Sequence, residues 1–236
     1  MTWLLPISFS LALFPLLGAT VTGTVELKDS RAPAVRKHRD FSGVVIALEP
    51  VDAAVPSRAP SHARMVQKDK TFTPHILPVQ VGTTVEFPNN DPIFHNAFSN
   101  YDGQLFDVGL YPPGTSRDVH FTREGVVRIF CNIHSTMSAL IVVLKTPYFA
   151  STARDGSFQI AGVPLGEYRL KVFHERATQA TLDKLGERIT VVSDALAISP
   201  IAISESGYLP IPHKNKYGRD YSPVPDDRMI YPAIRQ

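Results

Sequence analysis

From residue 20 onward the chain is a succession of short runs of Val, Ile, Thr and Phe, cut at brief intervals by Gly, Pro, Asn and Asp. Branched and aromatic side chains suit a pleated surface and the interruptions are turn signals, so this punctuation predicts short strands with tight connections. No convincing amphipathic helix competes with it. The nearest candidate, residues 176–186, has weak helical periodicity and holds a short turn of helix at most.

Residues 20–28 alternate like a half-buried strand and residues 43–49 read as a more buried one, with a polar loop over 29–41 that carries His38. Residues 50–63, with three prolines and several alanines, have the composition of a linker. Strands follow over 72–79, 82–91, 105–110, 116–121, 126–131 and 139–144, a density that predicts a sandwich. Further turns and strands come at 153–160, 163–172, 188–192 and 196–203. Beyond residue 206, five prolines and four tyrosines without periodicity predict a tail that is extended over the surface or disordered.

With 236 residues, 44% hydrophobic and 19% charged, the chain is long and apolar enough to fold as one or two domains. Twenty-four basic against 22 acidic residues give no global field that would favour nucleic acid. Residues 1–19 are apolar, uncharged apart from the amino terminus, and end in Leu17-Gly18-Ala19. They read as a secretory signal peptide without the usual basic start, which places the mature chain in the periplasm or otherwise outside the cytoplasm. Residues 3–21 are also long enough to span a bilayer, so an uncleaved membrane anchor is the alternative.

Export sharpens the meaning of the one cysteine. Oxidising compartments favour paired thiols, and Cys131 has no partner in the chain. A buried inert thiol or an intermolecular disulfide would each account for it, yet His134 and Met137 follow three and six residues later, in Cys131-Asn132-Ile133-His134-Ser135-Thr136-Met137. A further imidazole, His95, stands upstream in Asn90-Asp91-Pro92-Ile93-Phe94-His95-Asn96. Two histidines and a cysteine in a trigonal array with a weak axial methionine form the donor set of a type 1, blue-copper site. Thiolate and thioether suit the reduced ion and imidazole suits either state. Cys131 would end a strand, one short loop would carry His134 and Met137, and His95 would reach in from a neighbouring loop to complete one copper site.

The remaining histidines, His38, His62, His75, His120, His174 and His213, read as surface, structural or tail residues, with His174 beside Glu175 as a surface pair. No triad order, paired-carboxylate pattern or phosphate-binding glycine loop stands out, and the histidines lack the His-x-His spacing that the extra metals of an oxidase would need.

Residues 64–146 thus resemble the cupredoxins, the plastocyanin- and amicyanin-like blue-copper domains, in their Cys-x-x-His-x-x-Met loop, the His95-Asn96 pair and the Val-x-x-Gly-x-x-Val-x-Phe lead-in ending at Phe87. The resemblance implies that Asn96 ties the two ligand loops together with a hydrogen bond near the Cys131 sulfur. It also implies an electron exit at the His134 edge, with Ile133, Ala139 or Leu110 nearby. Many members carry proline beside the second histidine, where this chain has Ile133 and Ser135. Both N–H groups are therefore kept, and an extra hydrogen bond to the thiolate is expected to favour the oxidised state.

Asp155-Gly156-x-Phe158 and Val163-Pro164-x-Gly166-x-Tyr168 resemble the carboxypeptidase regulatory-like, transthyretin-like sandwich modules, which are non-catalytic. Residues 147–206 lack room for that module's opening strands, which residues 20–57 can supply. The expected fold class is therefore all-β: a Greek-key cupredoxin sandwich over 64–146 inserted in, or packed beside, a second small sandwich, with a tail over 207–236. The alternative is that residues 20–49 extend the cupredoxin sheet. The expected function is an exported electron carrier, not an enzyme, that passes single electrons between a donor and an acceptor redox protein. An envelope copper-binding or adhesive module without electron transfer is the alternative.

Overall fold

The computed structural model describes residues 18–52, 54, 61–100, 103–210 and 212–221. The chain opens with β1 (Ala19–Lys28), α1 (Pro33–His38) and β2 (Val45–Pro50). It continues through β3 (His62–Arg64), β4 (Val66–Lys68), β5 (Thr71–Thr73), β6 (Ile76–Gln80), β7 (Thr84–Glu86), β8 (His95–Ser99), β9 (Phe106–Tyr111), β10 (Asp118–His120), β11 (Gly125–Phe130) and β12 (Ser138–Leu144). It closes with β13 (Phe149–Ser151), β14 (Ser157–Val163), β15 (Gly166–Phe173), α2 (Gln179–Asp183), β16 (Arg188–Val191), β17 (Ala195–Ala197) and β18 (Ile201–Ser204).

Strands from the two ends of the chain pair with each other. β1 lies antiparallel to β14 and parallel to β17 and β18, while β2 is flanked by β13 and β15, with β16 beyond β15. Val21, Val25 and Leu27 of β1 meet Ile46 and Leu48 of β2, Phe158, Ile160 and Leu170 in one apolar core between these sheets. The connection before β14 must turn tightly, and Gly156 makes it possible: its φ is +84°, and a Cβ there would stand 2.1 Å from the Val25 carbonyl oxygen.

Residues 62–144 form a separate sandwich. One sheet runs β6-β12-β11-β8-β9 and the other β10-β7-β3, with the hairpin β4-β5 beside them. Alternate residues Val127, Ile129 and Cys131, together with Ala139, Ile141 and Val143, point inward to meet Val85, Phe87 and Phe121. The other face of β12 is buried too, because Val142 and Leu144 pack against Val45 and Ala47 of β2. This double burial accounts for the uninterrupted apolar run of β12.

Several expectations need correction. The polar stretch 29–41 contains the one-turn helix α1, started by Pro33 in its first turn and anchored by buried Val35. The stretch 50–63 is not all linker, since β3 begins at His62 and pairs with β7. Of the N-terminal export segment, only Gly18 and Ala19 are among the described residues, and Ala19 is already a buried residue of β1. His174 is no surface pair with Glu175. It is 2% exposed and donates from Nε2 to Glu205 at 2.9 Å, in a cluster completed by Ser30 and Arg176.

Candidate metal centre

His95 opens β8, and the loop before it is shaped by Asn89, whose Nδ2 donates to the Ile93 carbonyl at 2.8 Å and whose Oδ1 accepts from Asp91 N–H at 3.1 Å. This turn aims the buried Asp91 carboxylate at His95, and Nε2 of His95 donates to Asp91 Oδ2 at 2.7 Å. The turn of the β4-β5 hairpin braces the same carboxylate through the N–H groups of Asp69 at 2.6 Å and Lys70 at 2.9 Å. Both turn residues have positive φ, as a tight two-residue hairpin requires. Burial works to raise the Asp91 pKa, but these donors and the His95 ring together hold it below the ordinary value. Burial is also the main reason the His95 pKa is lowered, against the pull of Asp91. A neutral ring bonded through Nε2–H leaves the Nδ1 lone pair available.

The second cluster of donors lies between β11 and β12. Cys131 directly follows β11, and Met137 directly precedes β12. Within the loop, Cys131 N–H donates to the Met137 carbonyl at 3.2 Å and Met137 N–H to the His134 carbonyl at 3.1 Å. Cys131 Sγ stands 3.8 Å from His95 Nδ1 and 3.7 Å from His134 Nδ1. The three ligand atoms lie within 4.8 Å of one another, and all three residues are buried. Met137 is fully buried in the same core as Cys131. Metal–nitrogen and metal–sulfur bonds of about 2.0 and 2.3 Å opened to a trigonal angle separate the donor atoms by about 3.7 Å. The spacing observed around the sulfur fits a metal that these three groups would hold together.

Burial pushes the Cys131 thiol up, while backbone N–H groups of Ile133, His134 and Asn96 directed at the sulfur act to lower it. The contact from Asn96 is made by its main chain, because its side chain donates to Asp107 Oδ1 at 2.7 Å and to the Gly109 carbonyl at 3.0 Å, tying β8 to β9. The loop N–H groups on the sulfur are those of Ile133 and His134, whereas Ser135 uses its carbonyl to accept from His213.

Around the expected exit, His134 is 4% exposed and Ala139 is buried, while Leu110 is half exposed. Three contributors escape sequence reading. Asp91 sits four residues before His95, a spacing that only the bent Asn89 loop turns into a contact. His213 and Tyr221 come from the tail, His213 stacking on Phe130 with ring centroids 4.0 Å apart. His213 is therefore not a bystander. His75 donates from Nδ1 to the Ser138 carbonyl beside Met137 and from Nε2 to Glu175. His120, at the outer sheet, is exposed.

No protein-family model matches the chain, and no curated protein matches its sequence. Among solved structures it is similar to a purple cupredoxin from Nitrosopumilus maritimus, at 26% identity and TM-score 0.33, over 35% of this chain and 99% of that one. It is also similar to a copper-containing nitrite reductase from Thermus scotoductus, at 26% identity and TM-score 0.35, over 41% of this chain and 25% of that one. A third similarity, at 19% identity and TM-score 0.33, is to an oxidized amicyanin mutant, over 39% of this chain and 97% of that one.

Proposed function

We propose that this chain is an exported type 1 copper protein of cupredoxin type that carries single electrons between two redox proteins. The observation that carries this reading is the placement of two imidazole Nδ1 atoms 3.7 and 3.8 Å from a lone buried sulfur. His95, Cys131 and His134 would hold the copper, with Met137 as a further, weaker donor. One thiolate with two imidazoles in a plane is a donor set that suits copper, whereas structural zinc takes four ligands in a tetrahedron.

Copper supplies a one-electron couple when bound. The protein supplies the rest. Asp91 fixes the tautomer and orientation of His95, and the N–H groups of Asn96, Ile133 and His134 offset charge on the sulfur. The sandwich excludes water and holds the donors on stiff strand ends, so little rearrangement accompanies a change of charge. The second sandwich acts as a non-catalytic support, and its likeness to regulatory-like modules belongs to this proposal.

Addition of Cu(II) to the metal-free protein is expected to give an intense visible absorption from thiolate-to-copper charge transfer, absent in Cys131→Ser. A colourless adduct in the unmodified protein would sink the assignment. The burial of His134 favours a second reading, an envelope module that retains copper without passing electrons. Stopped-flow oxidation of the reduced protein by a small inorganic complex separates the two, since a carrier reacts rapidly and a storage module does not.

A further inference from the structure

The Cys131–Met137 loop is held largely from outside. Three of its acceptors are met by one segment of the tail, residues 212–221. His213 Nε2–H donates to the Ser135 carbonyl at 2.9 Å, Lys216 N–H to Asn132 Oδ1 at 3.0 Å, and the Tyr221 hydroxyl to the Cys131 carbonyl at 2.8 Å. The His213 ring lies nearly flat on Phe130, with 24° between planes, and Tyr221 meets His213 edge-on at 5.2 Å. Tyr221 Oη also lies 3.2 Å from His213 Nδ1, so the two side chains are packed in contact. Lys216 Nζ reaches Asp107 of β9 at 2.7 Å, the residue that also accepts from the Asn96 side chain.

These contacts are spaced along the ligand loop at residues 130, 131, 132 and 135. Between the incoming tail and β11-β12 there is a cavity of about 290 Å³, lined by Arg128, Phe130, Leu140, Glu175, Leu209 and His213. The segment is thus fastened at discrete points, and its few directional bonds do the holding.

We infer that residues 212–221 form a strap that sets the shape of the ligand loop before any metal arrives, with His213 and Tyr221 as its positioning residues. The loop has little regular structure, and a loop alone holds a constellation of ligands less well than a strand does. By taking up the carbonyls of Cys131 and Ser135, the strap fixes the peptide planes on either side of the sulfur and of His134. It therefore restricts both the approach of reagents to Cys131 and the freedom of His134 to swing away. The metal-dependent part of this inference rests on the copper reading; the metal-free part does not.

The test uses the full-length protein. In the metal-free state, Cys131 of Tyr221→Phe should react with a neutral disulfide reagent about fivefold faster than wild type, the factor expected for one lost hydrogen bond. A chain ended after residue 206 should react more than tenfold faster. Tyr217→Phe, on the exposed side of the same strap, should match wild type. Loaded with Cu(II), Tyr221→Phe should surrender the metal to a chelator about fivefold faster, with a displaced charge-transfer band. Equal thiol rates in wild type, Tyr221→Phe and His213→Gln would overturn the strap, and these point variants decide the matter if the shortened chain does not fold. Absence of the charge-transfer band in wild type would remove the copper reading while leaving the thiol rates to judge the strap.

Discussion

The Asp91 carboxylate accepts the Nε2–H of His95 at 2.7 Å, and it is itself held by two backbone N–H groups from the β4-β5 turn. His95, a proposed ligand, is thereby oriented by a hairpin that supplies none of the proposed donors. Asp91→Asn keeps the shape and removes the charge, and it is expected to lower copper affinity about 10- to 100-fold, measured by competition with a chelator. Asp91→Ala also orphans the Asp69 and Lys70 donors, and should cost about 1–3 kcal/mol of stability in urea denaturation.

Met137 is both a core residue and the proposed axial donor, and one substitution separates the roles. Met137→Leu conserves volume, so unfolding should weaken by less than about 1.5 kcal/mol. Loss of the thioether removes a donor that tunes the couple, so the reduction potential should move away from the wild-type value, and an unchanged potential would count against ligation by Met137. Met137→Ala leaves a cavity in the core and should cost about 2–5 kcal/mol. Voltammetry and thermal unfolding on the same samples check both.

His75 joins the two sandwiches, because it begins the approach to β6 and its Nε2 meets Glu175, just after β15, at 2.8 Å. The Glu175 carboxylate is the main cause of its raised pKa. That contribution is full below the unfolded value of 6.5 and is lost as pH rises through the higher folded value. Glu175 is shifted down against the effect of its own burial, so its share is present above 4.5 and lost as pH falls through the lower folded value. The pair therefore stabilises most between 4.5 and 6.5. With His75 half exposed, the effect is at most about 1 kcal/mol. The melting temperature should decline as pH rises above 6.5 by a few degrees, about 2–4 °C for each kcal/mol, and His75→Gln should flatten that decline.

Glu205 is 3% exposed at its side chain and accepts from Ser30, His174 and Arg176. Glu205→Ala leaves buried His174 and the Arg176 guanidinium without their acceptor. A loss of about 3–5 kcal/mol is expected in denaturant unfolding, against a smaller loss for Glu205→Gln.

The sequence displays the β character of the chain and its sulfur and imidazole donors plainly, because strand alternation and ligand type are local properties. β11, for example, alternates inward Val127 and Ile129 with outward Arg128. The one-turn helix at Pro33–His38 is hidden because a single buried residue, Val35, anchors it amid charges. The roles of Asp91, His213 and Tyr221 are hidden for another reason. Each depends on where a distant segment comes to rest: the Asp69-Lys70 turn for the first, the ligand loop for the other two. The burial of His134 is similarly a property of assembled surfaces, which neither its residue type nor the family resemblance displays. His174 and Glu175 are neighbours in sequence, but in the turn after β15 one reaches Glu205 and the other His75.

β12 is apolar on both faces, one serving the ligand-bearing sandwich and the other resting on β2. An excised fragment covering only residues 64–146 would turn Val142 and Leu144 out to water, and such a piece is expected to self-associate. Transplanting this centre into another scaffold therefore calls for the neighbouring sheet or polar replacements at those two sites.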